Sequence, residues 1–322
     1  IEEGSVSLRP TIDDVRAAAE RLRGVAVRTP LLQLHEFDGA STIYLKPETL
    51  QPIGSFKLRN VFNAVAALSD EERSRGLSTT SAGNTAQALA WSARHFGTTA
   101  RSLMPETAPE NKVRAIEAYG GDPVLVPAAE VFRYMTEEGW HDEDYAFIHP
   151  WRETAGSGTI GLEILEDVPG VRTVFVPVGG GGLIGGIGSA VKALSPDVRI
   201  IGVEPEGCRA FTESRRAGSP QTVTCTTICD GVAVPLMLPD VFEVLQEVVD
   251  DTILVSDRQA MAAVKRLALR NKLVTEPSGG LALAAALLTP EADRGTSVCI
   301  VSGGSIDTEL LASIIIDDSL EI

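Results

Sequence analysis

Cysteine, basic charge and long apolar runs are all scarce in this chain, and each shortage removes a class of protein. Four cysteines in 322 residues, Cys208, Cys225, Cys229 and Cys299, do not make a disulfide framework. Cys225 and Cys229 stand four apart with no histidine near enough to complete a zinc-type set, so all four are expected as buried free thiols. No metal is expected. Only 28 Lys and Arg residues face 44 Asp and Glu, a net charge of -16. Such a chain repels phosphate backbones and anionic lipid, which argues against nucleic-acid and membrane partners. The one long uncharged stretch, Val174–Val191, holds seven glycines and a proline and reads as a loop-bearing segment, not a membrane span. No charged-then-apolar leader opens the chain, and a cytoplasmic location is expected. The patterns G-x-S-x-G and H-E-x-x-H are absent, as is a P-loop lysine, which takes the main support from serine-hydrolase, zincin and NTPase readings.

What remains is 44% apolar and 22% charged, the balance of a soluble globular chain of about two domains. Thr11 caps an expected helix with Asp13 and Asp14 in its first turn, and Val15, Ala18 and Leu22 recur at helical spacing up to Gly24. Short β-rich runs then alternate with helical ones. Ser41–Leu45 precedes a helix over about Phe56–Leu68, Thr85–Phe96 stops at Gly97, and Asn111–Tyr119 stops at Gly120-Gly121. Strands are expected at Val171–Val178, Arg199–Val203 and Val298–Val301. Strand, glycine turn and helix in repetition imply parallel sheets covered by helices, an α/β class with two interleaved domains.

Four segments carry chemistry. Gly179-Gly180-Gly181-Gly182 follows a strand, and Gly180-x-Gly182-x-x-Gly185 satisfies the dinucleotide fingerprint, with Glu204 nineteen residues on where a ribose-binding acid would sit. Four consecutive glycines equally allow several backbone N–H groups to converge on one phosphate at a helix start. Lys57 follows Gly54-Ser55-Phe56 at an expected helix start, which disfavours its ammonium form and suits Schiff-base chemistry. An ordinary surface lysine with a snorkelling stem fits the same local context. Ser81-Ala82-Gly83-Asn84-Thr85 sets small polar residues and glycine before a helix, more than one cap needs, and reads as an anion cradle. Ser302-Gly303-Gly304-Ser305 closes another strand.

Taken in order, Gly-Ser-Phe-Lys-x-Arg, Ser-x-Gly-Asn-x-x-Gln, the tetraglycine-Leu loop, Glu-Pro-Ser-Gly and Ser-Gly-Gly resemble the fold type II pyridoxal-phosphate enzymes, above all threonine and serine dehydratases and serine racemases. Thr227–Val234 also resembles their Ile-Ala-Asp-Gly-Val-Ala-Val segment. The resemblance spans nearly the whole chain. It implies a tryptophan synthase β-like architecture, with residues 1–72 and 150–322 forming a large cofactor-binding domain and residues 73–149 a small mobile one. The chain stops soon after the Ser-Gly-Gly turn, so the C-terminal regulatory domain of biosynthetic threonine dehydratases is not expected.

By the same resemblance, Lys57 would hold pyridoxal 5'-phosphate as a Schiff base beside Phe56. Asn84 would bond the ring 3-hydroxyl, and Gly179, Gly180, Gly181, Gly182 and Leu183 would hold the phosphate. Ser302 would face the ring nitrogen with Glu276 near that edge, and the Ser81, Ala82, Gly83, Asn84, Thr85 loop would receive the substrate carboxylate. The implied activity is an ammonia-lyase converting a 3-hydroxy amino acid to a 2-oxo acid and ammonia. A β-replacement synthase of the same fold and an NAD-binding oxidoreductase are the rivals, and a homodimer is left open. Departures from the family pattern fall on the substrate side. Ala82 stands where racemases carry a proton-donating serine, Thr85 replaces a histidine, and Ala210 replaces a metal-binding aspartate after Glu204. Ser157 replaces a glutamine in a shortened Trp151–Gly158 segment, and Trp151 and Trp140 are expected to add aromatic surface. These changes lean the expected substrate toward a bulkier amino acid such as phenylserine.

Overall fold

The computed structural model describes residues 9–35, 39 and 41–321. Its strands are β1 (Leu32–Gln33), β2 (Ile43–Pro47), β3 (Leu77–Thr80), β4 (Ala100–Pro105), β5 (Asp122–Val126), β6 (Ala146–Phe147), β7 (Thr173–Pro177), β8 (Arg199–Pro205), β9 (Asp251–Val255) and β10 (Ser297–Val301). They form a six-stranded sheet in the order β1-β2-β10-β7-β8-β9 and a four-stranded sheet in the order β5-β4-β3-β6. Every pairing is parallel except β1 with β2. Parallel neighbours need long crossovers, and helices supply them. All five residues of β7 and of β10 are buried, as expected of strands covered on both faces. One face of the large sheet packs on Ile184, Ile187 and Phe242, the other on Ala263, Leu281 and Leu283.

The helix starts and stops follow local signals. Thr11 and Asp14 form a reciprocal capping box on Ile12–Leu22, which buries Val15, Ala18 and Leu22. Gly97 ends Asn84–Phe96 in the left-handed conformation at φ 68°. The lysine-bearing helix runs Lys57–Ala67.

That helix is fixed by a buried ion cluster. Arg59 donates to Glu48 (2.9 Å), Glu163 (2.7 Å), Thr159 (3.0 Å) and the Val27 carbonyl (3.0 Å). Lys46 donates to Glu163 (2.5 Å) and to the Thr29 carbonyl (2.6 Å). Two cations and two carboxylates thus neutralise one another, and Glu48 also accepts from Thr29 (2.8 Å) and Gln51 (3.0 Å), as charges out of water require. The helix Ala155–Asp167 lies so close that a Cβ at Gly156 would stand 2.2 Å from the Arg59 carbonyl oxygen.

Two expectations need correction here. Cys208 and Cys225 are paired as a disulfide, Cα to Cα 4.4 Å, while Cys229 and Cys299 are buried and free. The turn after β8 packs on the irregular segment before residue 230, where the Thr226 N–H donates to the Gly207 carbonyl (2.9 Å), and this brings the two sulfurs together. Ser157 does not face a substrate pocket. It is fully buried between three helices, its N–H donating to Asn60 Oδ1 (2.5 Å) and its hydroxyl lying 2.9 Å from the Gly182 carbonyl.

Candidate active site

Strand order in the large sheet reverses beside β7, because the last strand, β10, inserts between β2 and β7. Ligands of open α/β sheets bind outside the carboxyl ends of the strands at such a point. A cavity of about 280 Å³ lies there, with the glycine loop after β7, Ser302 after β10 and Phe56-Lys57 on its wall. Ser81–Thr85, after β3 of the small sheet, faces them across the cavity. Leu183 and Glu276 complete the set, so every residue expected to hold the cofactor or to receive the substrate carboxylate lines this one space.

The glycines have a steric reason. A Cβ at Gly180 would come within 2.2 Å of the Trp151 ring, and one at Gly182 within 2.8 Å of the Trp151 carbonyl oxygen. Gly181 sits at φ 91°, a conformation that disfavours side chains. The loop is therefore bare backbone, and it leads into the helix Gly182–Leu194, whose first turn offers N–H groups and a positive dipole end to an anion.

Lys57 opens its helix, and its Nζ donates to the Pro150 carbonyl (2.8 Å) and stands 5.3 Å from the Phe56 ring centroid. Burial pushes its ammonium pKa down to about 8. Asn84 donates through Nδ2 to Glu276 (3.2 Å) and accepts from the Ser305 hydroxyl at Oδ1 (2.7 Å), so its amide orientation is fixed. Burial first, and then the charge of Asp230, push the Glu276 carboxyl up to about 7. The Ser278 hydroxyl, also on the cavity wall, is buried with no hydrogen-bond partner.

Several wall residues gave no functional signal in the sequence. Lys112 pairs with Asp230 across the cavity mouth, joining the helix Glu110–Ala118 to the segment that follows Cys229. Asp230 was visible inside the quoted Thr227–Val234 segment, but Lys112 reads locally as one surface charge among many. Trp151 lines the cavity as expected. Trp140 does not: it stacks on Phe147 with centroids 4.5 Å apart. Glu204 is 1% exposed, and its carboxylate accepts from the Phe211 N–H (2.9 Å), the Thr212 N–H (2.8 Å) and the Thr212 hydroxyl (2.6 Å). Buried at the start of another helix and away from the cavity, it is not presented to a ribose, and the dinucleotide reading loses its acid.

A bare glycine cradle, a half-buried lysine with a lowered pKa and an orphaned hydroxyl suit a cofactor bearing both a phosphate and an aldehyde. Similarity to known proteins agrees. The family model for pyridoxal-phosphate dependent enzymes matches residues 22–303. The chain is 37% identical over 315 residues to an L-threonine ammonia-lyase of Thermotoga maritima, covering 95% of this chain and 78% of that one. It is 38% identical over 320 residues to a catabolic L-threonine dehydratase of Staphylococcus aureus, covering 95% and 92%. Among solved structures, maize serine racemase superposes with a TM-score of 0.87 at 34% identity, covering 95% of this chain and 96% of that one. The chain belongs to the pyridoxal-phosphate dependent enzymes of fold type II.

Proposed function

We propose that the protein is an ammonia-lyase that eliminates water from a 3-hydroxy amino acid and releases an enamine, whose hydrolysis takes the water back and yields a 2-oxo acid and ammonia. The observation that carries this reading is the meeting, in one cavity, of Lys57 with the bare glycine loop and the Ser81–Thr85 turn. Pyridoxal phosphate, when bound, supplies a ring that takes up the electron pair left at the substrate α-carbon. Gly179–Leu183 would hold its phosphate, Asn84 and Ser302 its ring, and Lys57 its aldehyde carbon.

The chain's own residues do the rest. N–H groups at the start of the helix Asn84–Phe96, with the Ser81 hydroxyl, receive the substrate carboxylate and set the α-carbon toward Lys57. With a pKa near 8, the Lys57 amine is neutral in an appreciable fraction at neutral pH, so it can accept the α-proton and return a proton later. Ser302 would offer the ring nitrogen a hydroxyl in place of a carboxylate, which makes the ring a weaker electron sink and favours prompt loss of the β-hydroxyl. Closure of residues 73–149 over the cavity would exclude water during this step.

Of the arguments for a bulky substrate, Ala82, Thr85 and Trp151 stand on the cavity wall, whereas Ser157 and Trp140 do not. The balance therefore moves to threonine and serine, the smaller members of the class. Purified protein supplied with cofactor is assayed for 2-oxo acid from L-threonine, L-serine and threo-phenylserine. Threonine is expected to give the highest kcat/KM. A phenylserine value tenfold above it, about 1.4 kcal/mol of discrimination, would restore the bulky reading, and product only when an external nucleophile is added would indicate a β-replacement synthase.

A further inference from the structure

We propose that His149 is a positioning residue: its Nδ1 folds the 149–152 turn so that the Pro150 carbonyl meets Lys57 and the Trp151 ring meets the glycine loop, a role that rests on the reading of Lys57 given above. The turn follows β6 of the small sheet and precedes the helix Ala155–Asp167, so it connects the two halves of the cavity wall. It contains no regular structure, and irregular backbone takes its shape from whatever accepts its N–H groups. Here one atom accepts two of them. His149 Nδ1 receives the Trp151 N–H (3.1 Å) and the Arg152 N–H (3.2 Å).

Both donors are amides, so Nδ1 carries the lone pair and the ring proton sits on Nε2. The ring cannot swing away from this task. It is buried, edge-on to Trp140 (5.6 Å), Phe147 (6.0 Å) and Trp151 (5.6 Å). Burial first, then Arg152 and Lys57, hold the imidazole neutral with its pKa down at about 3, so the acceptor persists at any working pH. Arg152 is clasped from outside by Asp240 (2.8 Å) and Glu138 (3.1 Å), which fixes the far end of the turn.

What the turn presents is the site itself. The Pro150 carbonyl accepts from Lys57 Nζ at 2.8 Å, and the Trp151 ring fills the space that a Cβ on Gly180 would need. One imidazole thereby sets both the lysine and the phosphate cradle.

The test compares His149→Leu, which keeps apolar bulk without an acceptor, with His149→Asn, whose Oδ1 takes the place of Nδ1. Apoprotein of each is titrated with pyridoxal phosphate and the Kd read from absorbance. Leu is expected to weaken binding by about tenfold or more, equal to about 1.4 kcal/mol, and Asn to stay within about threefold of wild type. Wild-type affinity in the Leu variant, or an Asn variant as weak as Leu, overturns the proposal. Should the Leu variant not fold, the ¹⁵N spectrum of histidine-labelled wild-type apoprotein decides: an unprotonated Nδ1 with a protonated Nε2 is expected, and the opposite tautomer overturns it. Lys57→Ala separates the two readings, since covalent cofactor capture by that variant would remove the role of Lys57 however the His149 variants behave.

Discussion

Asn84 and Glu276 meet across the cavity, the amide Nδ2 of one 3.2 Å from the carboxyl Oε1 of the other. Asn84 begins a helix of the small sheet, and Glu276 precedes the helix Pro277–Leu288 of the large one. A buried carboxyl thus stands at the seam between the two halves, with its pKa raised by burial from 4.5 to about 7. Between those two values the folded apoprotein holds a proton that the unfolded chain has released. Stability must therefore fall as pH rises through this window. Glu276→Gln should remove that slope, and denaturant midpoints of wild type and variant measured from pH 4.5 to 8 check it. Parallel curves would show that Glu276 titrates as it does in water.

Lys57→Ala should abolish the visible absorbance of bound cofactor and lower turnover by about a thousandfold or more, because nucleophile and base are lost together. Gly180→Ala acts differently. Its Cβ would lie 2.2 Å from the Trp151 ring, so cofactor affinity should fall while the lysine stays reactive. Borohydride trapping at saturating cofactor distinguishes the two variants.

The Arg59 side chain is 2% exposed and answers two carboxylates at once. Arg59→Ala leaves both buried with only Lys46 between them, and should cost about 3–5 kcal/mol of stability. Urea unfolding of the apoprotein measures this, and a change below about 1 kcal/mol would mean that water enters the cluster.

Ala82 brings a methyl group to the cavity wall and no proton-bearing atom. Ala82 stands where the racemases' motif carries its proton-donating serine, so reprotonation from the face opposite Lys57 should be slow. Chiral chromatography after incubation with L-serine should show 2-oxo acid and negligible D-serine. Comparable rates for the two products would reveal a donor elsewhere on the wall.

Glu204 already satisfies two N–H groups and a hydroxyl at the start of the helix Ala210–Ala217, and the residue six positions on is Ala210. Activity should survive chelation. A loss restored by added magnesium would require Glu204 to release that helix, and would be accompanied by a metal-dependent rise in Tm.

Local chemistry was readable along the chain. Caps, glycine stops and apolar runs predict Ile12–Leu22, Asn84–Phe96 and β10 to within a residue or so, because neighbours a turn away determine them. The convergence of Lys57, Asn84, Gly179–Leu183 and Ser302 was readable only through resemblance, since no spacing rule joins four separate strand ends. What escaped lies in contacts between distant segments. Cys208 and Cys225 meet because a turn packs on an irregular segment, and Lys112 finds Asp230 only once the two sheets face each other. Ser157 was misplaced for the same reason: its neighbours in space, Asn60 and Gly182, belong to other helices.

The Ser157 contacts have a consequence for how this enzyme can diversify. Asn60, Ser157 and Gly182 bind the lysine-bearing helix and the glycine loop into one block, with backbone approaches too close to admit a single added methyl group at Gly156 or Gly186. The Ser81–Thr85 wall hangs from the other sheet and shares none of these contacts. Only Asn84 of that wall reaches across, to Glu276 and Ser305. Exchanging residues 81–83 and 85 for those of a relative therefore leaves the block untouched, whereas a change at residue 157 disturbs the lysine-bearing helix and the glycine loop first.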